Sequence, residues 1–258
     1  MGRRGVGSPR PDGTAPNTAA RYRGRSLIPS VAKPRVAGLL CIVWLACTVC
    51  HAQDLTPRAY VITPVRTNAF ILTYSFYDGS VLFPGSVPIT GATARVNIPI
   101  FSYYHTFNFF GRSANITASL PYGVGHYQGK VIGAEHNAYR SGLLDTSVRF
   151  SVNLKGGPAL SPQEFRSWRQ KTLIGASLTV VAPTGQYDPT RLINEGSNRW
   201  AFKPELGLSQ RRGHWIADAY AGVWFYTTNP EFFSHNEFLP GTRTQTQKPM
   251  GAVEAHLT

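Results

Sequence analysis

Chemistry in this chain would have to come from its histidines, from scattered hydroxyl and carboxylate residues, or from a small set of charged residues at even spacing. Outside the first 52 residues the histidines are His105, His126, His136, His214, His235 and His256. They do not recur at the short intervals that gather ligands around one metal. A Gly-x-Ser-x-Gly turn, which would expose a nucleophilic serine, is absent. Gly123-Val124-Gly125 lacks the strand-turn-helix setting of a dinucleotide loop. The pattern therefore assigns no catalytic residue, no metal and no cofactor, and the reading is a non-enzyme. What remains is electrostatic: Asp145, Arg149, Lys203 and Glu205 can pair with one another across a sheet, or filter a charged solute that passes them.

The segments that carry these residues alternate in polarity. Residues 113–120 run polar and apolar in turn, with Asn115, Thr117 and Ser119 on one side and Ala114, Ile116, Ala118 and Leu120 on the other. Residues 145–154 put Asp145, Ser147 and Arg149 against Thr146, Val148, Phe150, Val152 and Leu154, and residues 200–210 put Lys203 and Glu205 against Phe202, Pro204, Leu206 and Leu208. A period of two over such lengths predicts strands with one polar and one apolar face. Residues 67–77, 93–104, 172–182, 214–227 and 250–258 read as further strands. Segments of ~10 residues are the length that crosses a bilayer when tilted. The expected fold is all-β, an antiparallel transmembrane β-barrel of the outer-membrane type with at least eight strands. The polar faces would line its lumen, with Ile116 and Ala118 turned to lipid. Aromatic residues crowd strand ends at 101–110 and 215–226, as interfacial girdles do. A soluble sandwich would have shorter strands.

Short and long connections alternate. Tight turns are expected near Gly111 and Gly213, and long connections at 78–92, 123–141, 183–199 and 229–248. Outer-membrane barrels alternate in this way, with the long loops outside. Residues 155–171 break the rule. There, Ser161-Pro162-Gln163-Glu164 spells a capping box with proline at the first helical position, which predicts a rim helix from Pro162 to about Gln170. The loop at 183–199 carries turn formers such as Asn198 together with apolar Leu192 and Ile193. It is expected to fold over the mouth, anchored by Tyr187 and Trp200, with Arg191 and Arg199 reaching Asp145 or Glu205.

The net charge of +13 suggests nucleic acid until it is divided by region. Residues 1–52 hold eight Lys/Arg and one acid, which leaves 18 against 12 for the rest. Residues 1–35 are basic and rich in Gly, Pro and Ser, a composition that does not fold, and the true start is expected near Val31. Residues 36–50 are an apolar run too short to span as a helix. With small residues before Gln53, residues 36–52 read as a signal peptide, and 53–258 as the mature barrel domain. A lipidated Cys47 is the weaker alternative, because Trp44 stands where a small aliphatic residue is wanted. All three cysteines fall in the leader. Export makes nucleic acid an unsuitable partner, and the expected partners are outer-membrane lipid and a small-molecule solute.

Several phrases recur in a familiar order: Leu120-Pro121-Tyr122-Gly123, Gly142-Leu143-Leu144-Asp145, Val152-Asn153-Leu154, then PTGQYD from Pro183, LIN.G.NRW to Trp200, and KPELGLS from Lys203. From about residue 57 onward the chain resembles the bacterial outer-membrane family named MetA-pathway of phenol degradation. That resemblance implies a barrel passing small, often aromatic or hydrophobic, compounds inward, without naming the compound. The last residues, Ala255 to Thr258, stop inside a strand without the usual terminal aromatic, so the expectation is a truncated chain lacking about two to four strands. A non-transport reading, a structural or lipid-binding barrel of the envelope, stays open beside the channel.

Overall fold

The computed structural model describes residues 58–82, 89–131, 133–233 and 244–258. The leader, the signal segment and the lipidation reading lie outside them. Nine antiparallel strands form one sheet: β1 (Asn68–Ser80), β2 (Ile89–Phe109), β3 (Arg112–Val131), β4 (Ala134–Leu143), β5 (Thr146–Lys155), β6 (Thr172–Ala182), β7 (Ala201–Arg212), β8 (Trp215–Tyr226) and β9 (Met250–Leu257). The hydrogen-bonded order is β1-β2-β3-β5-β6-β7-β8-β9, with β4 paired to the far half of β3, and the sheet curls into a half-barrel.

The all-β antiparallel sheet expected from the alternation is what the chain adopts. The turns at one end are tight for identifiable reasons. Phe109 pairs with Arg112, and the two residues between, Phe110 and Gly111, both have positive φ (50° and 78°). This is the two-residue hairpin whose twist matches the flanking strands. Gly213 (φ 62°) serves the turn between Arg212 and Trp215. The third connection at this end holds α1 (Pro162–Ser167), whose capping box is complete: the Ser161 backbone N–H and hydroxyl both donate to Glu164 Oε2 (2.8 and 2.7 Å), and the Glu164 N–H returns to Ser161 Oγ. The helix is shorter than expected. It stops at Ser167 because Trp168 turns extended (ψ 141°), with its ring stacked on Phe165.

One expected connection is not a loop. Residues 123–141 belong to a ladder in which Tyr122 to Val131 pair with Leu143 back to Ala134. Period-two alternation marks a strand only while its faces differ in polarity. In this extension Gly123, Gly125, Gln128 and Lys130 replace that contrast, so the backbone pairing continues without its sequence signal.

The two faces of the sheet differ sharply. Register lines up Phe70, Tyr103, Ala118, Val148, Val180, Phe202 and Phe225 in one row from β1 to β8, of which Phe70, Val148 and Phe225 are exposed and the others half-buried. Leu206 is 60% and Val253 78% accessible, and Ile116, Leu178 and Leu257 are also exposed. The opposite face is polar and buried, with Asn115, Ser151, Ser177, Lys203, Glu205, Ser209 and Asp218 all covered. Burial inside and apolar exposure outside is the reverse of a soluble sandwich, where large exposed apolar patches are rare.

Candidate functional site on the inner face

Register gathers residues that are far apart in sequence. One inner row runs Thr106, Asn115, Ser151, Ser177, Glu205 and Gly222, and its neighbour runs Tyr104, Thr117, Arg149, Thr179 and Lys203. Ser119 and Ser147 sit in the next row, where Ser119 Oγ lies 2.8 Å from Ser102 Oγ. Seven of the eight residues read from sequence as lumen-facing thus occupy three adjacent rows of one inner face. Asp145 does not join them: it lies in the break between β4 and β5 and turns toward the long-loop end.

Glu205 is the centre of the charge cluster. Its Oε2 lies 2.9 Å from Lys203 Nζ and its Oε1 3.7 Å from an Arg149 guanidinium nitrogen. Lys203 also lies 5.6 Å from the Trp224 ring centre. One carboxylate between two cations in a covered setting is a structure in which each charge needs the others, since an unpaired buried charge is far more costly than a pair.

A third partner comes from outside the strands. Tyr60, before β1, donates its hydroxyl to Glu205 Oε1 (2.8 Å) and stands 3.0 Å from Ser177 Oγ. Its ring is only 1% exposed, with Arg149 5.1 Å from its centre and the Tyr220 ring at 5.6 Å. The space is made by Gly175 and Gly207, direct neighbours across β6 and β7. A Cβ at either would fall 2.1 or 2.0 Å from Tyr60 ring atoms. The backbone of the same segment is tied to β8, since Arg58 N–H donates to Asp218 Oδ2 and Ala59 N–H to the Tyr220 hydroxyl. Further along, Ile62 is 2% exposed, and Thr106 Oγ1 accepts from Thr67 N–H and donates to the Pro64 carbonyl. Residues 58–67 therefore run along the inner face and leave at the short-turn end to start β1. Sequence reading missed this segment. Its signal was the pair of glycines at inward positions of neighbouring strands, where a lumen wall would carry side chains.

The loop at 183–199 covers the other end, held by Asp145. Its carboxylate accepts from the Gly185 N–H (2.9 Å), the Ser197 N–H (2.8 Å) and the Ser197 hydroxyl (2.5 Å). Gly185 and Gly196 meet backbone to backbone, so that a Cβ on Gly185 would lie 2.6 Å from Gly196 Cα. Tyr187 donates to the Glu231 carbonyl (3.0 Å) and accepts from Asn229 Nδ2 (2.9 Å). Asn198 Nδ2 donates to Asn229 Oδ1.

The arginines do not bond the expected carboxylates: Arg191 finds its acceptor within the loop, and Arg199, though it feels the charge of Asp145, bonds outside the loop. Arg191 pairs with Asp188, three residues back, at 3.0 Å. Arg199 donates to Gln247 Oε1 and lies 4.7 Å from the Tyr226 ring centre. Trp200 is no anchor either. Its ring is half exposed, stacked on Phe202 of the outer face, and only its backbone holds the loop end, through Thr227. Beneath the loop lies a cavity of about 360 Å³ lined in part by Leu144, Asp145, Leu192, Glu195 and Phe232. Burial pushes the Glu195 carboxyl above the usual range, and Arg140 opposes this. Hydroxyl and backbone N–H bonds from Thr190 hold Asp188 below its usual range.

No curated protein matches the chain. Among solved structures, an outer membrane channel from Pseudomonas putida F1 is similar at 17% identity with a TM-score of 0.49, over 70% of this chain and 64% of the channel's. The chain thus spans less than two thirds of that protein. The family described as MetA-pathway of phenol degradation matches residues 83–249, from ahead of β2 to the threshold of β9. Since that stretch takes in the inner rows of β2 to β8 and the whole mouth loop, this chain belongs to the MetA-pathway of phenol degradation family.

Proposed function

We propose that this chain is an outer-membrane channel for small solutes, exported by residues 36–52 with a mature chain from Gln53. The observation that carries the reading is the two-faced register: apolar side chains in continuous rows outside, polar ones gathered in rows inside. Strands span lipid only where their backbone groups are paired and the outward side chains are apolar. The inner rows, with Asn115, Thr117, Ser119, Ser147, Arg149, Lys203 and Glu205, are the wall a solute would pass, and the mouth loop with Asp145 and Tyr187 is the entrance. The family resemblance favours aromatic or hydrophobic compounds as cargo.

Swelling of liposomes loaded with the folded mature protein is the test. Passage of small polar and aromatic solutes, absent from empty liposomes, is the expected result. Folded, inserted protein that passes nothing would overturn the reading. The buried Tyr60 segment favours a second reading, a closed structural barrel, which the same silence would support.

A further inference from the structure

Charge is arranged differently at the two ends of the strands. At the long-loop end cations meet acids: Arg95 lies 2.8 Å from Asp78 and Arg191 3.0 Å from Asp188, and Lys130 stands opposite Glu135 in register. At the short-turn end they do not. The outer rows of the sheet finish there in Arg112, Lys155 and Arg212, all exposed. Register sets Arg112 beside Phe109 and Arg212 beside Trp215, and the irregularity after Asn153 brings Lys155 onto the row of Ile174. The turns and the α1 connection add Arg166, Arg169, Lys171 and Arg211, also exposed. Across residues 109–112, 155–171 and 211–215 the acid is Glu164 alone, and it is engaged by Ser161 at the helix cap. Among the described residues, none of these seven cations forms an ion pair. Arg169 and Arg211 bond backbone carbonyls, which leaves their charge uncompensated. Beside them stand Phe110 and Trp215, 91% and 62% exposed.

We propose that the short-turn rim is a docking surface for anionic phospholipid, with Arg112, Lys155 and Arg212 taking headgroup phosphates at the margin of the outer face. This rests on the reading above, which puts that face in lipid. Charge complementarity selects the occupant. Clustered cations next to a membrane surface attract anionic lipid, and a guanidinium holds phosphate oxygens in a two-pronged geometry. A zwitterionic headgroup brings its own cation and gains less. An acidic protein would neutralise the charge, but it would leave unexplained why the cations stand in register with outward rings. Rings at the acyl boundary with long basic side chains just beyond them suit the depth at which headgroups begin. The rim therefore also fixes how deep the sheet sits and which end meets the anionic leaflet.

Quenching of tryptophan fluorescence by brominated lipids tests this on the folded mature protein in phosphatidylcholine vesicles. A Trp200→Phe background removes the outward tryptophan of the other end and keeps Trp215 beside the rim. Brominated phosphatidylglycerol is expected to quench at roughly a fifth of the concentration that brominated phosphatidylcholine needs, or less. Salt at about 1 M should bring the two together, because it screens charge over a few ångströms. Changing Arg112, Lys155 and Arg212 together to glutamine should narrow the preference to within about twofold. Arg95→Gln with Lys130→Gln, at the long-loop end, should leave it as it was. Heat-modifiable gel mobility establishes that each variant is folded, and solute passage in pure phosphatidylcholine vesicles reads the channel separately. A wild type that passes solutes without preferring the anionic lipid would overturn the docking surface and leave the channel standing. Preference that survives the three rim substitutions, or that falls as far with the long-loop pair, would overturn it as well. A folded wild type that passes nothing yet keeps a rim-dependent preference would overturn the channel alone and uphold the docking surface.

Discussion

Two pieces of chain outside the ladder cover the inner face, and they are held in different ways. The mouth loop is fastened by backbone: a single carboxylate, Asp145, gathers N–H groups from both loop ends, and two glycines let the strands of the loop touch. The segment at 58–67 adds to its backbone bonds a buried side chain, an aromatic ring in a recess with a hydroxyl at its tip. A fastening through one carboxylate hub loses three bonds together when the hub is removed. A ring in a recess loses its grip in parts, first the hydroxyl bonds and then the packing. The loop should thus behave as a fixed lid, and the inner segment as the more adjustable cover.

The largest effect should come from the hub. Asp145→Ala leaves the Gly185 and Ser197 donors without their acceptor, and hydrogen bonds to charged groups contribute about 1.5–3 kcal/mol each. Hydrogen exchange across 185–197 is expected to accelerate by about two orders of magnitude or more, while exchange in β6 and β7 stays slow. Asp145→Asn should rescue little, because its amide nitrogen would face donors. Rescue by asparagine to the wild-type rate would show that the charge is not what fastens the loop. Next is Gly196→Ala, whose new methyl meets the Gly185 backbone 2.7 Å away. Overpacking of this kind costs about 1–3 kcal/mol, read as faster exchange in the loop. An unchanged rate would mean that the glycine contact is incidental.

Tyr60→Phe sharpens the other side of the comparison. It removes the bonds to Glu205 and Ser177 and keeps the ring, so thermal stability should fall by about 1.5–3 kcal/mol. Tyr60→Ala empties the recess and should cost about 3–5 kcal/mol where the site cannot collapse. Equal losses from the two would mean that the hydroxyl, not the ring, carries the attachment.

Much of this was legible in sequence, for a reason the faces make plain. Alternation of Thr117 with Ile116, or of Lys203 and Glu205 with Phe202 and Leu206, is forced wherever lipid lies on one side and a polar interior on the other. Strands β5 to β9 were accordingly located to within one or two residues. Where the two faces of a strand do not differ in polarity, as at Gly123 to Lys130, the pattern vanishes though the ladder continues. The stretch at 183–199 could be read as a long loop from its turn formers. The partners of Arg191 and Arg199 could not, because a cation takes the nearest adequate acceptor or ring, and the fold decides which that is. Tyr60 was illegible alone. Only the register that sets Gly175 beside Gly207 reveals a recess, and register is a property of two strands at once.

The smallest expected effect separates the loop's two carboxyls by their sign. Burial raises the Glu195 carboxyl above the ordinary glutamate range, so seating the loop favours its protonated form. Its contribution is present below the unfolded glutamate range and fades as pH rises through the raised value. Asp188 is opposite: its bonds from Thr190 lower it, so its contribution is present above the unfolded aspartate range and lost as pH falls through the lowered value. Exchange protection of residues 186–196 should therefore be greatest in mildly acidic solution and decline on both sides. Glu195→Gln should remove the alkaline-side decline, because glutamine stays neutral at every pH, and leave the acid-side loss to Asp188. A Glu195→Gln loop whose protection still falls toward neutral pH as in the wild type would show that another group governs that limb. The fastening by Asp145 would survive that result, since its three bonds do not depend on Glu195.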